Sequence, residues 1–410
     1  MKPLRRLLAI ALPLAVACSK EPLGPPARIT ALPRALTARE QQLIQADNRF
    51  AIKLLKEANT QTRDTLPNLF VSPLSAAMAL AMTYNGAAGT TATAMDTTLE
   101  LAGMSVADVN AGNQSLIALL RGLDRQVQFQ IANSIWYRKG LAVEQPFIDA
   151  NRTYFDAQVE GLDFTAPTAA QTINAWVDQQ THGLITQIVE DPIPPDVLMY
   201  LMNAIYFKGE WTRQFDKQRT APQPFHLQDG STVSVPTMTY GGEVAIRRAS
   251  TPVGTVLDLP YGGAAFSMTI VLPRDSLGVD GVVGSMTLGD WNAWIAALDT
   301  SVTALYMPKF KLENNLTFRS TLAALGMGIA FTEFADFSGM HQGGGLMLTD
   351  VKHRTYVDVN EEGTTAAAVT AVVVGPTSAP PTLYVNRPFI FALRENLSGT
   401  ILFMGVIRHP

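Results

Sequence analysis

The sequence predicts an α+β fold, because helical and strand periodicities are interspersed along it without a regular βα alternation. Two further observations support that class. The run Val197–Phe207 is apolar at nearly every position, as expected of a central strand buried on both faces. From Phe225 to Met307 short β runs alternate with turns such as Asp229-Gly230 and Gly262-Gly263. With 410 residues, 47% of them hydrophobic, the chain can bury a large core and is too apolar to be disordered. Length alone would allow two or three domains, although single large mixed domains exist.

The first element is a targeting signal, residues 1–17. Lys2, Arg5 and Arg6 supply its positive start, and Leu7–Ala17 supplies an apolar run too short to span a bilayer. Cys18, the only cysteine, directly follows Leu14-Ala15-Val16-Ala17. That arrangement resembles the bacterial lipoprotein signal, in which the cysteine is lipidated, although Ala15 stands where leucine is more usual. An ordinary secretory signal is the alternative. The expected location is therefore the bacterial cell envelope, lipid-anchored to a membrane, or the exterior as a secreted protein. Residues 18–39 hold Pro22, Pro25, Pro26 and Pro33 and read as a tether, leaving 40–410 as the folded domain.

Within that domain, Leu43, Phe50, Leu54 and Leu55 give Glu40–Ala58 the spacing of an amphipathic helix. Phe70-Val71 is a short apolar strand, and Ser72-Pro73 starts the next helix, with Ser72 as its cap and Pro73 at its first position. That helix runs on through Leu74–Tyr84. Gln128–Tyr137 alternates as a strand, and Thr172–Val189 reads as a helix ending around His182-Gly183 with a short return. Asp290–Leu298 is a short helix carrying Trp291 and Trp294.

A net charge of −4 without a Lys/Arg cluster argues against a nucleic-acid partner. Five histidines and one cysteine argue against a structural zinc site, and no metal or cofactor is expected. Ser, His and Asp all occur, but no nucleophile elbow, HExxH or phosphate loop does, so the chain does not read as an enzyme. The most informative stretch is Glu361–Thr370, EEGTTAAAVT, which continues to Gly375-Pro376-Thr377-Ser378. Small side chains give it few fixed contacts, while its Thr and Val favour extended backbone. A loop of this kind is ready to become a strand.

Several separated segments, in order, resemble the serpin family of protease inhibitors. Phe70-Val71-Ser72-Pro73-Leu74-Ser75 looks like that family's early helix start, and Asn203–Trp211 like the central strand of its main sheet. Phe334–Met340 and Val351–Arg354 precede the hinge as they do in the family, and Asn386–Phe389 with Leu402–Gly405 look like its closing strands. The resemblance implies a single domain of three β-sheets and eight or nine helices, with an exposed reactive-centre loop at about 362–381. It places the cleaved bond between Thr377 and Ser378, and the hinge at Glu361, Glu362, Gly363, Thr364, Thr365, Ala366, Ala367 and Ala368. It implies a polar shutter of Ser72, Asn203 and His353 beneath the main sheet, although read alone His353 is a satisfied core histidine. A breach at the top of the sheet would be made by Trp211, Lys309 and Glu361, with Lys309 pairing Glu361.

The implied mechanism is suicide inhibition: a serine protease attacks Thr377, and the freed hinge enters the main sheet before the acyl-enzyme is hydrolysed. The residues suit that event. With a period of two, Thr364, Ala366, Ala368, Thr370, Val372 and Val374 share one face, and neither face carries a charge. Thr365 stands where the family commonly has glutamate, and Val369 where a smaller residue is common. Thr377 is small and uncharged, which suits the shallow pockets of elastase-like or subtilisin-like proteases; cleavage shifted to Val373 or Val374 suits them too. Residues 90–112 lack Lys and Arg, which argues against heparin as a cofactor. The protein is expected to act as a monomer, and a non-inhibitory serpin, carrier or cleavable substrate, is the alternative.

Overall fold

A computed structural model describes residues 28–364 and 381–410. Helix α1 (Ala38–Thr62) leads through β1 (Asn68–Val71) into α2 (Pro73–Tyr84), α3 (Gly89–Thr98) and α4 (Val106–Leu120). Strand β2 (Val127–Arg138), α5 (Gln145–Phe155), β3 (Gln158–Leu162), α6 (Ala169–Gln180) and β4 (Met199–Glu210) follow. An antiparallel run comes next: β5 (Ala221–His226), β6 (Thr232–Thr251), β7 (Gly254–Tyr261) and β8 (Phe266–Pro273). Helices α7 (Gly278–Ser285) and α8 (Leu288–Ala296), strands β9 (Asp299–Pro308) and β10 (Phe310–Thr317), and the one-turn α9 (Arg319–Leu322) precede β11 (Lys352–Val359). The chain closes with β12 (Gly363–Thr364), β13 (Thr382–Tyr384), β14 (Phe389–Glu395) and β15 (Ile401–Ile407).

Among the described residues these strands form three sheets in an α+β arrangement. One has nine strands, eight of them on a path from β1 to β13 and the ninth, β5, paired to β6 beside it. The four-stranded sheet has the order β12-β4-β2-β3, and the two-stranded sheet pairs β10 with β11. The core is packed between sheets and helices, with Phe70, Phe389 and Phe391 among its fully buried rings. Phe70 stacks on both Phe391 and Phe403, tying β1 to β14 and β15.

Local chemistry explains the element ends. Thr37 caps α1 in a reciprocal box with Glu40, which starts that helix two residues before the sequence suggests. Ser72 caps α2, its oxygen accepting from the Ser75 N–H, with Pro73 at the first position. His182 and Gly183 both adopt left-handed φ, which ends the α6 segment, so the helix itself is Ala169–Gln180 and 181–189 is its return.

Two expectations are corrected. The run Val197–Phe207 is not a strand buried on both faces. Its residues form β4 from Met199 onward, and many positions are only half-buried. The reason is topological: β4 pairs along nearly its whole length with β2, but its other edge meets only the two residues of β12 and otherwise borders a gap. Residues 28–37, read as part of a tether, lie against the body. Ile29 and Leu36 pack on the core, and Arg34 forks onto the buried Glu40.

Candidate functional site

The gap separates β4 from β11. Phe70, Ser72 and Ser75 close it on one face; Trp176 and Val177 of α6, with Thr181, Leu184 and Ile185 of its return, close the other. It continues toward the Met199 end of β4 as a cavity of about 340 Å³, lined by Ala79, Leu80, Tyr200, Phe337 and Leu348 among others. Among the described residues no ladder pair joins β4 to β11, so two strand edges line the same gap. An unpaired edge is a template for one more strand.

At the mouth, β12 already occupies that position. Thr364 pairs with Gly209 and Gly363 with Glu210, antiparallel, and Asn360 bridges back to Gly363. Gly363 has φ +143°, and a Cβ there would lie 2.2 Å from the Gly209 carbonyl oxygen. Only glycine fits that corner. The Thr364 hydroxyl lies 3.2 Å from the Tyr261 phenol, which burial keeps neutral.

Trp211 holds the turn before β12 at two points: its N–H donates to the Glu362 carbonyl at 3.0 Å, and its indole donates to the Asn360 carbonyl at 2.9 Å. Its ring stacks on Tyr261 at 4.3 Å. Lys309 donates to Glu361 at 2.8 Å, the pairing the sequence resemblance implied, and Thr220 donates to the other carboxylate oxygen at 2.6 Å. Burial works to raise the Glu361 pKa, but hydrogen bonds from Lys309 and Thr220 outweigh it and hold the carboxyl below its ordinary value. Glu362 is held separately by Lys217. Nothing in the sequence marks Tyr261, Thr220 or Lys217 as neighbours of the hinge, because each arrives from a distant strand or loop.

Midway along the gap, His353 and Ser72 meet directly. The Ser72 N–H can only donate, so His353 Nε2, 2.9 Å away, is the acceptor and the proton sits on Nδ1. Burial lowers the His353 pKa to about 3, and the ring stacks on Phe318. Asn203, expected in the same cluster, stands apart. Its amide nitrogen donates to Asn133 at 2.7 Å, and its buried carbonyl oxygen has no partner. Ser75 links the two groups, accepting no side-chain bond from Asn203 but donating to its main-chain oxygen at 3.2 Å. Leaving such an acceptor unpaired costs about 1–3 kcal/mol.

The reactive pair Thr377 and Ser378, the hinge positions Thr365, Ala366, Ala367 and Ala368, and Cys18 lie outside the described residues. The chain on either side of 365–380 is informative. Thr364 is paired to β4, whereas Thr382 begins β13, which pairs in parallel with β9 of the nine-stranded sheet. The two ends are held by different sheets.

A gap with a two-residue strand at its mouth, within three sheets and nine helices among the described residues, defines an α+β protein whose smaller sheets leave facing edges open. A family model described as serpin (serine protease inhibitor) matches residues 45–410, and the chain belongs to the serpin family. It is 33% identical to the leukocyte elastase inhibitor of Bos taurus over 90% of this chain and all of that one. It is 33% identical to Iripin-8 of Ixodes ricinus, covering 89% of this chain and 93% of the relative. Tengpin, a thermophilic serpin solved in its native state, superposes with a TM-score of 0.82 at 28% identity, covering 94% of this chain and 97% of that one. Human thyroxine-binding globulin in its thyroxine complex also gives 0.82 at 28%, covering 91% and 100%. The family is described by protease inhibition, and the bovine relative is named as an inhibitor, not an enzyme.

Proposed function

We propose that the protein is a suicide inhibitor of serine proteases with shallow pockets, elastase-like or subtilisin-like, cleaved between Thr377 and Ser378. The observation that carries this reading is the gap between β4 and β11, with β12 paired at its mouth and the downstream chain anchored on another sheet. Cleavage between those anchors frees the upstream part to continue β12 into the gap. Extending the Thr364–Gly209 pairing puts Thr370 opposite Asn203, and the Asn360–Gly363 bridge extends to put the same residue opposite His353. A hydroxyl would thus arrive beside the unpaired Asn203 oxygen. The uncharged faces of 364–374 would carry no ion into the gap. The intact state is then kinetically trapped above a more stable one.

The bovine relative is named as an inhibitor of leukocyte elastase, which favours a target with a small-residue pocket. The thyroxine-binding neighbour favours a second reading, a non-inhibitory carrier. Neutral, small residues along 364–368 weigh for inhibition. Lipidation at Cys18 would tether the inhibitor to a bacterial envelope. The test is to mix the protein with an elastase-like protease. A one-to-one complex that survives boiling in detergent is expected; cleaved inhibitor beside fully active protease would overturn the proposal.

A further inference from the structure

Residues 28–37 form a strap whose contacts lead to the mouth of the gap. At one end Arg34 donates to Glu40 at 2.8 Å and to Ser115 at 2.7 Å, locking the strap onto α1 and α4. Glu40 is only 2% exposed, and its carboxylate also accepts from the Thr37 N–H, so this end is fixed by the first turn of α1. At the other end the Ile29 N–H donates to the Gly263 carbonyl at 2.7 Å. The Ile29 and Leu36 side chains pack against the cluster that contains Trp211, Phe215 and Tyr261.

Gly263 belongs to the turn between β7 and β8, and that turn is bonded to the end of β4. The Gly262 N–H donates to Glu210 at 2.8 Å, the Thr212 hydroxyl donates to the Gly262 carbonyl at 2.7 Å, and the Thr212 N–H donates to Pro260 at 2.9 Å. These bonds flank Trp211, the residue that holds Asn360 and Glu362. Asp124 fixes the turn from below, accepting from the Gly263 N–H at 2.7 Å. A continuous series of hydrogen bonds and one ring stack thus runs from Ile29 to Thr364.

We infer that the strap regulates strand addition by bracing the mouth of the gap against premature opening. A further strand has to pair along β4, and the end of β4 where that pairing starts is clamped to a turn that the strap holds. The inference rests on the inhibitory reading of the gap and names a control on it.

The experiment uses the full chain with Ile29→Pro, which removes the donating N–H, and Ile29→Ala, which keeps it and trims the packing. Hydrogen exchange is followed in peptides covering 208–216 and 358–364, with β14 and β15 as the internal reference. Ile29→Pro is expected to speed exchange at Trp211 and Phe215 roughly tenfold, the factor given by losing one backbone bond and some apolar contact. The reference strands stay unchanged, and Ile29→Ala gives a smaller rise. The half-life of inhibitory activity on warming should shorten by a similar factor, ending in an uncleaved, heat-stable monomer. Unchanged exchange at 208–216, or a rise shared equally by β14 and β15, overturns the inference. If the unaltered chain traps no protease, the inhibitory reading falls while the exchange result still decides whether strap and mouth are coupled.

Discussion

Severing the chain between Thr377 and Ser378 should raise its melting temperature by about 10–15 °C, and the size follows from the geometry of the gap. Continuing the Thr364–Gly209 pairing brings Val374 opposite Met199, where β4 begins. About ten residues therefore join the layer, and at a net ~1 kcal/mol per hydrogen-bonded position they add on the order of 10 kcal/mol. Unfolding entropy of about 2 cal/mol/K per residue amounts to roughly 0.8 kcal/mol/K for a domain of this size, which converts that gain into the stated shift. The assay is calorimetry of intact and nicked protein after brief exposure to an elastase-like protease, with mass spectrometry of the released peptide to identify the severed bond. Thr370→Arg should abolish most of the rise, because the guanidinium would enter between Asn203 and His353 without a carboxylate. A nicked molecule that melts within about 2 °C of the intact one would refute the reasoning.

Thr364→Arg should convert the inhibitor into a substrate, since Thr364 is 5% exposed and its hydroxyl faces the neutral Tyr261 phenol; retained one-to-one inhibition on a detergent gel would contradict this. Thr377→Arg should redirect the protein toward trypsin-like proteases, and an unaltered preference for elastase-like ones would place the reactive bond elsewhere. Cys18→Ala should move the protein from the membrane to the soluble fraction, whereas unchanged fractionation would reject a lipid anchor. Burial raises the Asp47 carboxyl to about 7, and one of its oxygens has no partner. The folded state therefore keeps a proton that the unfolded chain releases near pH 4, so stability falls as pH rises from about 4 to 7. Asp47→Asn should stabilise the protein by a few kcal/mol (~3) at pH 8 and by almost nothing below pH 4 in urea unfolding; equal gains at both pH values would disprove the linkage.

Much of the fold is legible because its signals are local. The Ser72-Pro73 helix start and the alternation of β2 depend on neighbours in sequence, and both are seen in the structure. The Lys309–Glu361 pair was reachable only through family resemblance, since 52 residues separate its members. What the sequence hides is set by topology. An apolar strand beside a gap reads like one at the centre of a sheet, so the half-exposure of β4 has no signature in its composition. The family resemblance assigns Asn203 to a polar cluster, yet only the fold shows its amide turned to Asn133 and its oxygen left over. The strap is hidden for a similar reason: prolines suggest a linker, and a single main-chain hydrogen bond from Ile29 leaves no trace in side-chain pattern.

The two rungs already laid at Gly363 and Thr364 settle more than where the ribbon starts. A strand that had to find its own alignment could slip by one residue, and such a slip would exchange its two sides, swinging Thr370 outward and sending Val369 toward the polar layer. With Gly363 wedged against the Gly209 oxygen, that error is excluded before the bond is cut. The closing motion is then a zip with its first teeth engaged, and its speed depends on how readily the layer widens ahead of it.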